Sequence, residues 1–172
     1  KAVTSGYIPL GGVMVGDRVA KVLIEKGGEF NHGYTYSGHP VACAVALENI
    51  AIMEREQLPQ KVRGALGAYF GRRFAELNDH PLVAMAETSG FVAGLILVKD
   101  KKTSALFDEG AGVGMICRTH CFDNGVIMRA VGDRMIIAPP LVMTTEQIDE
   151  MVSLIRHALD LTHKDLKARG LT

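Results

Sequence analysis

The stretch FVAGLILV, residues 91–98, contains only apolar residues and glycine, and it is followed by the polar pair Lys99 and Asp100. A short apolar run bounded by turn residues is typical of a buried β-strand. Residues 58–77 before it and residues 110–124 after it carry apolar side chains at helical spacing. We therefore predict a strand between two helices, in a domain where helices pack on a sheet.

The last third of the sequence extends this domain. Residues 126–129 and 135–138 are short apolar segments separated by Gly132 and Asp133, which predicts two strands joined by a turn. A closing helix is predicted from Thr145 to about Ala168, since a threonine followed by acidic and amide side chains is a capping signature. Residues 58–172 are therefore expected to form an α+β domain.

The first 57 residues follow a different pattern. Residues 12–15 predict a short strand, and a helix is expected from Asp17 to just before a glycine pair. The loop at residues 29–39 is rich in polar and aromatic residues, and a helix that is apolar on most sides follows from residue 40 to about residue 56. This segment is expected to be the end of a larger domain.

Composition and charge restrict the classes of function. Among 172 residues, Lys and Arg number 19 and Asp and Glu also number 19, so no basic surface for nucleic acid or anionic membrane is expected. No apolar run reaches the roughly 20 residues of a membrane span. Three cysteines, an odd number, favour a reducing compartment over a disulfide framework, and we expect a cytoplasmic protein. Its partners should be small molecules or protein.

Four blocks of sequence, taken in order, point to a family. They are KAVTSGYIPLGG at residues 1–12, HGYTYSGHP at residues 32–40, NGVIMR at residues 124–129, and GD at 132–133 followed by APPL at 138–141. Together they resemble the class III pyridoxal-phosphate aminotransferases, and most closely the branch that transfers amino groups from ω-amino acids and amines to pyruvate. The resemblance extends from Lys1 to the end of the chain.

The resemblance implies a fold class and a reaction. The fold would be α/β, the C-terminal part of a fold type I transferase dependent on pyridoxal 5'-phosphate. Residues 1–57 would be the end of the large, mostly parallel-sheet domain with a connecting helix, and residues 58–172 the small α+β domain. The enzyme would be a homodimer or homotetramer that moves an amino group from an amine donor to pyruvate, giving alanine. Residues that pair with or stack on the pyridine ring are expected upstream of Lys1.

Lys1 matches the family's lysine that forms a Schiff base with the cofactor aldehyde, the catalytic residue of the reaction. The chemistry requires an amine whose pKa can be lowered, because the neutral form attacks the carbonyl, and a desolvated lysine meets that requirement. Read alone, a terminal lysine is an exposed solubilising charge. The resemblance implies that Lys1 is the cofactor-binding and catalytic lysine.

Thr35 and Tyr36 are the other predicted cofactor-binding residues. In the family, the threonine of this block donates its hydroxyl to the cofactor phosphate across the dimer interface. A hydroxyl, backbone N–H groups around Tyr36 and the helix start at Pro40 favour an anion. Without the resemblance, Thr35 would be an ordinary hydrogen-bonded loop residue.

Arg129 is the predicted substrate-binding residue, because the family's arginine in this block binds the carboxylate of the keto acid or amino acid. A planar fork of donors suits a planar anion. The alternative is a structural arginine paired with Asp133. Pro139 and Pro140 are expected to form a rigid boundary to the pocket.

Several alternatives stay open at this point. Within the family, the blocks look most like putrescine or polyamine:pyruvate enzymes, but β-alanine, taurine, a 2-oxoglutarate-dependent reaction or a decarboxylating relative are also compatible. A non-enzymatic dimerisation fragment is the alternative from another class. Cys117, His120 and Cys121 lie close in sequence, but cysteines four apart on an apolar helix favour packing, and no metal is predicted.

Overall fold

The computed structural model describes residues 2–108 and 110–172, and the chain divides into two compact units, Lys1–Gln57 and Leu58–Thr172. The helices are α1 Asp17–Lys26, α2 Pro40–Arg55, α3 Leu58–Arg63, α4 Ala65–Ala75, α5 Val113–Asp123 and α6 Thr145–Ala168. The strands are β1 Val83–Ser89, β2 Val92–Leu97, β3 Arg129–Val131 and β4 Arg134–Ile137. Short 3-10 helices span Ala2–Thr4 and Glu76–Asp79.

The first unit consists of α1, α2 and the 3-10 turn at Ala2–Thr4 with irregular chain between them. Proline is the first residue of α2, and His39 caps the helix because its Nδ1 accepts a hydrogen bond from the N–H of Ala42 at 3.4 Å. The predicted strand at residues 12–15 is wrong: this segment is irregular. Within residues 2–57 there is no other strand with which it could pair, so its backbone groups have no ladder to join.

The second unit is a four-stranded antiparallel sheet in the order β1-β2-β4-β3. Alternate residues of β2 and β4 are buried, and the core between these strands and α4, α5 and α6 contains large apolar side chains: Phe70, Phe74, Leu95, Leu97, Met135, Ile148, Ile155 and Leu159. The strand predicted at residues 91–98 is present as β2. The helix predicted over residues 58–77 is divided into α3 and α4 at Gly64, whose backbone is not helical. The strand β1 was not predicted.

Helix α6 is the longest element, with 24 residues, and it begins with the predicted capping box, in which Thr144 and Gln147 bond to each other's backbone. Its first half is tied to α4 by Asp149, whose carboxylate accepts hydrogen bonds from the Tyr69 hydroxyl at 2.7 Å and from Arg73 Nε at 2.6 Å. These bonds, first that of Tyr69, lower the pKa of Asp149. No helix within the described residues is both long and apolar enough to cross a membrane.

Candidate active site

Lys1, the predicted catalytic residue, lies outside the described residues. The chain directly after it is tightly folded: Ala2–Thr4 form a 3-10 turn, and the fully buried Thr4 donates a hydrogen bond from Oγ1 to the carbonyl oxygen of Ile8 at 2.7 Å. Ser5 then adopts a φ of 49°, in the left-handed region that non-glycine residues rarely occupy. Such a residue costs on the order of 1–3 kcal/mol and persists only where its surroundings hold it.

Asn49 supplies part of that support, and sequence reasoning missed it. Its Nδ2 donates hydrogen bonds to the carbonyl oxygens of Ala2 at 3.1 Å and Val3 at 3.2 Å. Its Oδ1 accepts a hydrogen bond from the Ser5 hydroxyl at 2.7 Å. The side chain projects from the third turn of α2, so a residue 46 to 47 positions away in sequence contacts the turn after Lys1.

Thr35 and Tyr36 lie together in an exposed turn before α2. The turn is held by its neighbours: the N–H of Ser37 donates to the carbonyl of Tyr34 at 2.9 Å, and the N–H of Tyr34 donates to the Ser37 hydroxyl at 3.0 Å. Within the part of the chain that the structure describes, neither the Thr35 hydroxyl nor the N–H of Tyr36 has a hydrogen-bond partner. A hydroxyl and a backbone N–H with no acceptor of their own are the donors that a phosphate group requires, so this donor set fits the phosphate of the cofactor.

Arg129 is the first residue of β3 and is exposed. It pairs across the sheet with Ile136, and both contribute to a cavity of about 760 Å³ with Pro139, Pro140 and the first half of α6. The two prolines therefore line the same cavity as Arg129. No carboxylate among residues 2–108 and 110–172 forms an ion pair with the guanidinium of Arg129.

Asp133, the alternative partner considered for Arg129, has a different role. It follows Gly132 in the turn between β3 and β4, and its Oδ1 accepts a hydrogen bond from the N–H of Gly114 at 3.0 Å. Gly114 lies in the first turn of α5, where backbone N–H groups have no partner within the helix. Asp133 therefore caps the first turn of α5, and within residues 2–108 and 110–172 it forms no ion pair with Arg129.

The cysteines of α5 are core residues. Cys117 and Cys121 are both buried, and the hydrogen bond between them, together with burial, raises the pKa of the Cys121 thiol. His120 Nε2 instead faces Asp165 Oδ2 at 3.4 Å. Residues 2–108 and 110–172 contain no group of three or more side chains arranged to hold a metal ion.

The candidate residues therefore fall into separate parts of the chain. Thr35 and Tyr36 share one turn of the first unit, Arg129 lies beside a cavity of the second unit, and Lys1 lies outside the described residues. Each unit offers donors for an anion: a hydroxyl and an N–H in one, a guanidinium in the other.

Comparison with known proteins identifies close relatives by sequence. The family model described as "Aminotransferase class-III" matches residues 1–159. The chain is 58% identical over 162 residues to putrescine–pyruvate aminotransferase of Pseudomonas aeruginosa, an alignment that covers 94% of this chain and 35% of that protein. It is 34% identical to mitochondrial gamma-aminobutyrate transaminase 1 of Oryza sativa subsp. indica, covering 95% of this chain and 32% of that protein. The chain thus spans about a third of the length of these relatives.

Solved structures show the same relationship. A transaminase obtained by ancestral reconstruction superposes with a TM-score of 0.90 at 42% identity, over 96% of this chain and 37% of that one. The aminotransferase of Vibrio fluvialis in its PMP-bound form superposes with a TM-score of 0.88 at 36% identity, over 95% and 37%. The predicted fold class, part of a fold type I transferase, is confirmed. The chain belongs to the class III aminotransferase family.

Proposed function

We propose that the protein is an aminotransferase that depends on pyridoxal 5'-phosphate and transfers an amino group from an amine or ω-amino acid to pyruvate, with putrescine or a related polyamine as the preferred donor. The observation that carries this proposal is the 58% identity to putrescine–pyruvate aminotransferase across 94% of the chain. The exposed Arg129 beside a partly apolar cavity supports it, because such a site suits a carboxylate attached to a small carbon chain.

The residues of this chain would divide the work of the reaction. When bound, pyridoxal phosphate supplies an electron sink for the carbon that carries the amino group. Lys1 would hold the cofactor covalently through Nζ and, as a free amine, move a proton at Nζ between carbon centres. The Thr35 hydroxyl and the N–H of Tyr36 would bind the phosphate. Arg129 would orient the keto acid through its carboxylate.

The assembly follows from the same assignment. In the family, the threonine of the Thr35 block acts on the cofactor of the neighbouring subunit, so we propose a homodimer or homotetramer in which this turn completes a partner's site. We also propose a cytoplasmic location, because the cysteines that the structure describes are free thiols, as is usual in a reducing compartment. Nucleic acid and membrane are not proposed as partners.

The choice of acceptor tests the proposed reaction. The chain is also 39% identical to diaminobutyrate–2-oxoglutarate transaminase of Halomonas elongata, which makes 2-oxoglutarate the competing acceptor. With putrescine as donor, we expect the full-length protein to form alanine from pyruvate at a kcat/KM at least about tenfold above that for glutamate formation from 2-oxoglutarate. The two acceptors differ in chain length, and a difference of one methylene in a hydrophobic pocket is worth about 1–3 kcal/mol. Replacing putrescine by β-alanine or taurine as the donor tests whether the protein belongs to the β-alanine or taurine branch of the family.

If kcat/KM is instead higher with 2-oxoglutarate than with pyruvate, then 2-oxoglutarate is the amino acceptor. If purified full-length protein shows no visible absorbance after incubation with pyridoxal phosphate, and no product from any donor, a non-enzymatic dimerisation role is favoured instead.

Replacing Thr35 with alanine should weaken retention of the cofactor more than it slows the chemistry. A hydrogen bond to a charged group contributes about 1.5–3 kcal/mol, which corresponds to a roughly tenfold to hundredfold higher dissociation constant. Equilibrium dialysis of pyridoxal phosphate against the full-length variant measures this dissociation constant. Thr119→Ala is the matched control, because the Thr119 hydroxyl is exposed but already bonded to the carbonyl of Met115 at 3.0 Å. Unchanged retention in Thr35→Ala would make Thr35 an ordinary loop residue.

A further inference from the structure

Asn49 occupies a position in α2 that helix formation does not explain. The amide side chain of asparagine competes for backbone hydrogen bonds, which makes asparagine a weaker helix former than alanine or leucine. The preceding turns of α2 consist mainly of alanine, valine and leucine. An asparagine in the third turn of such a helix therefore requires a contact outside the helix.

That contact uses both ends of the amide. Nδ2 donates to the carbonyl oxygens of Ala2 and Val3, and Oδ1 accepts from the Ser5 hydroxyl. The carbonyl of Ala2 also accepts the N–H of Ser5 within the turn, and the positive φ of Ser5 needs external support. The Asn49 side chain thus adds contacts to the backbone of Ala2 and Val3 and to the Ser5 hydroxyl, within the four residues that follow Lys1.

We propose that Asn49 is a positioning residue for Lys1: it holds the backbone of residues 2–5 in the conformation from which Nζ of Lys1 reaches the aldehyde of pyridoxal phosphate. This inference rests on the proposed function of Lys1. Lys1 is bonded directly to Ala2, so freedom in the Ala2–Ser5 backbone becomes freedom in the lysine. A reacting group that samples more orientations spends less time in the productive one.

The test separates covalent capture from non-covalent binding in the full-length apoenzyme. In capture, Nζ of Lys1 forms a C=N bond with the aldehyde carbon of pyridoxal phosphate and the aldehyde oxygen leaves as water; the visible absorbance follows it. Pyridoxamine phosphate carries the same phosphate and ring but an amine in place of the aldehyde, so its dissociation constant reports binding alone. We expect Asn49→Ala to slow capture about fivefold or more, the factor for one net hydrogen bond, with no change in pyridoxamine phosphate affinity.

Three further variants sharpen the comparison. Asn49→Asp keeps the size of the side chain but directs a carboxylate oxygen at two carbonyl oxygens, so it should slow capture at least as much as alanine does. Ser5→Ala removes one of the three hydrogen bonds and should have a smaller effect. Glu48→Ala is the control, because Glu48 is the neighbouring residue of α2 and its closest charged partner is Arg55 at 3.8 Å.

Hydrogen exchange of the apoenzyme supplies a readout that does not depend on the cofactor. The amide of Ser5, which donates to Ala2 at 3.1 Å, should exchange faster in Asn49→Ala and not in Glu48→Ala. Equal losses of pyridoxamine phosphate affinity and capture rate would make Asn49 a general structural residue, and normal capture in Asn49→Asp would refute the positioning role. If borohydride reduction of the wild type marks a lysine other than Lys1, the proposed function of Lys1 fails instead.

Discussion

Lys1→Ala is expected to abolish amino transfer by the full-length protein while leaving its fold intact. A nucleophile held beside its target acts with an effective concentration of about 10⁵ M or more, so free amines in solution cannot replace it. We expect a loss of at least several orders of magnitude in kcat. Unfolding followed by circular dichroism should match that of the wild type, since alanine at this position removes only one side chain.

Borohydride reduction and peptide mapping identify the lysine directly. The wild type should carry the reduced cofactor on Nζ of Lys1, and Lys1→Ala should carry none. Lys21→Ala is the control, because Lys21 is an exposed lysine on α1 that lies 4.0 Å from Glu25. A reduced adduct on any other lysine of the wild type would contradict the assignment.

Arg129→Ala is expected to damage the two half-reactions unequally. Pyruvate brings a carboxylate to the guanidinium, and a hydrogen bond to a charged group contributes about 1.5–3 kcal/mol. Its loss corresponds to a roughly tenfold to hundredfold lower kcat/KM in the pyruvate half-reaction. A diamine donor has no carboxylate, so the half-reaction with putrescine should change little.

Single-turnover absorbance measurements on the full-length protein follow each half-reaction separately. Arg134→Ala is the matched control, since Arg134 is an exposed arginine on the adjacent strand β4 and does not line the cavity of Arg129. Equal losses of kcat/KM in the two half-reactions would indicate that Arg129 is a structural residue. Asp133 would not explain that role, because its Oδ1 accepts a hydrogen bond from the N–H of Gly114 at 3.0 Å. No loss with pyruvate would place the acceptor carboxylate elsewhere.

The parts of the fold that sequence analysis predicts are those governed by local physics. The capping box of α6 is visible from Thr144 and Gln147 alone. The end of α5 follows from Gly125, whose φ of 87° strongly favours glycine. The buried strand β2 is visible as an apolar run because one face packs in the core and the other faces a neighbouring cavity.

The parts that it misses depend on distant partners. Strand β1 carries Glu87, Thr88 and Ser89 on a sheet with one open face, so its pattern is not apolar enough to stand out. The predicted strand at residues 12–15 has the right composition but no partner strand within the first unit. The bonds of Asn49 join residues 44 to 47 positions apart, and no periodic pattern connects them.

For the candidate site, too, sequence analysis predicts some residues and misses the role of another. Lys1, Thr35 and Arg129 are predicted as site residues only because their neighbours match the blocks of a known family. Their residue types alone are compatible with an exposed charge, a loop hydroxyl and an ion pair. The role of Asp133 could not be predicted, because capping α5 requires the hairpin and the helix to meet in space.

The close approach of Gly114 to the hairpin limits which substitutions this part of the fold can accept. A Cβ on Gly114 would lie 2.0 Å from the carbonyl oxygen of Gly132, so any larger residue would push the turn away from α5. The strand that carries Arg129 leads into that turn. Libraries that vary the cavity beside Arg129 should therefore change side chains such as Ile127 and Val142 and leave the glycine unchanged.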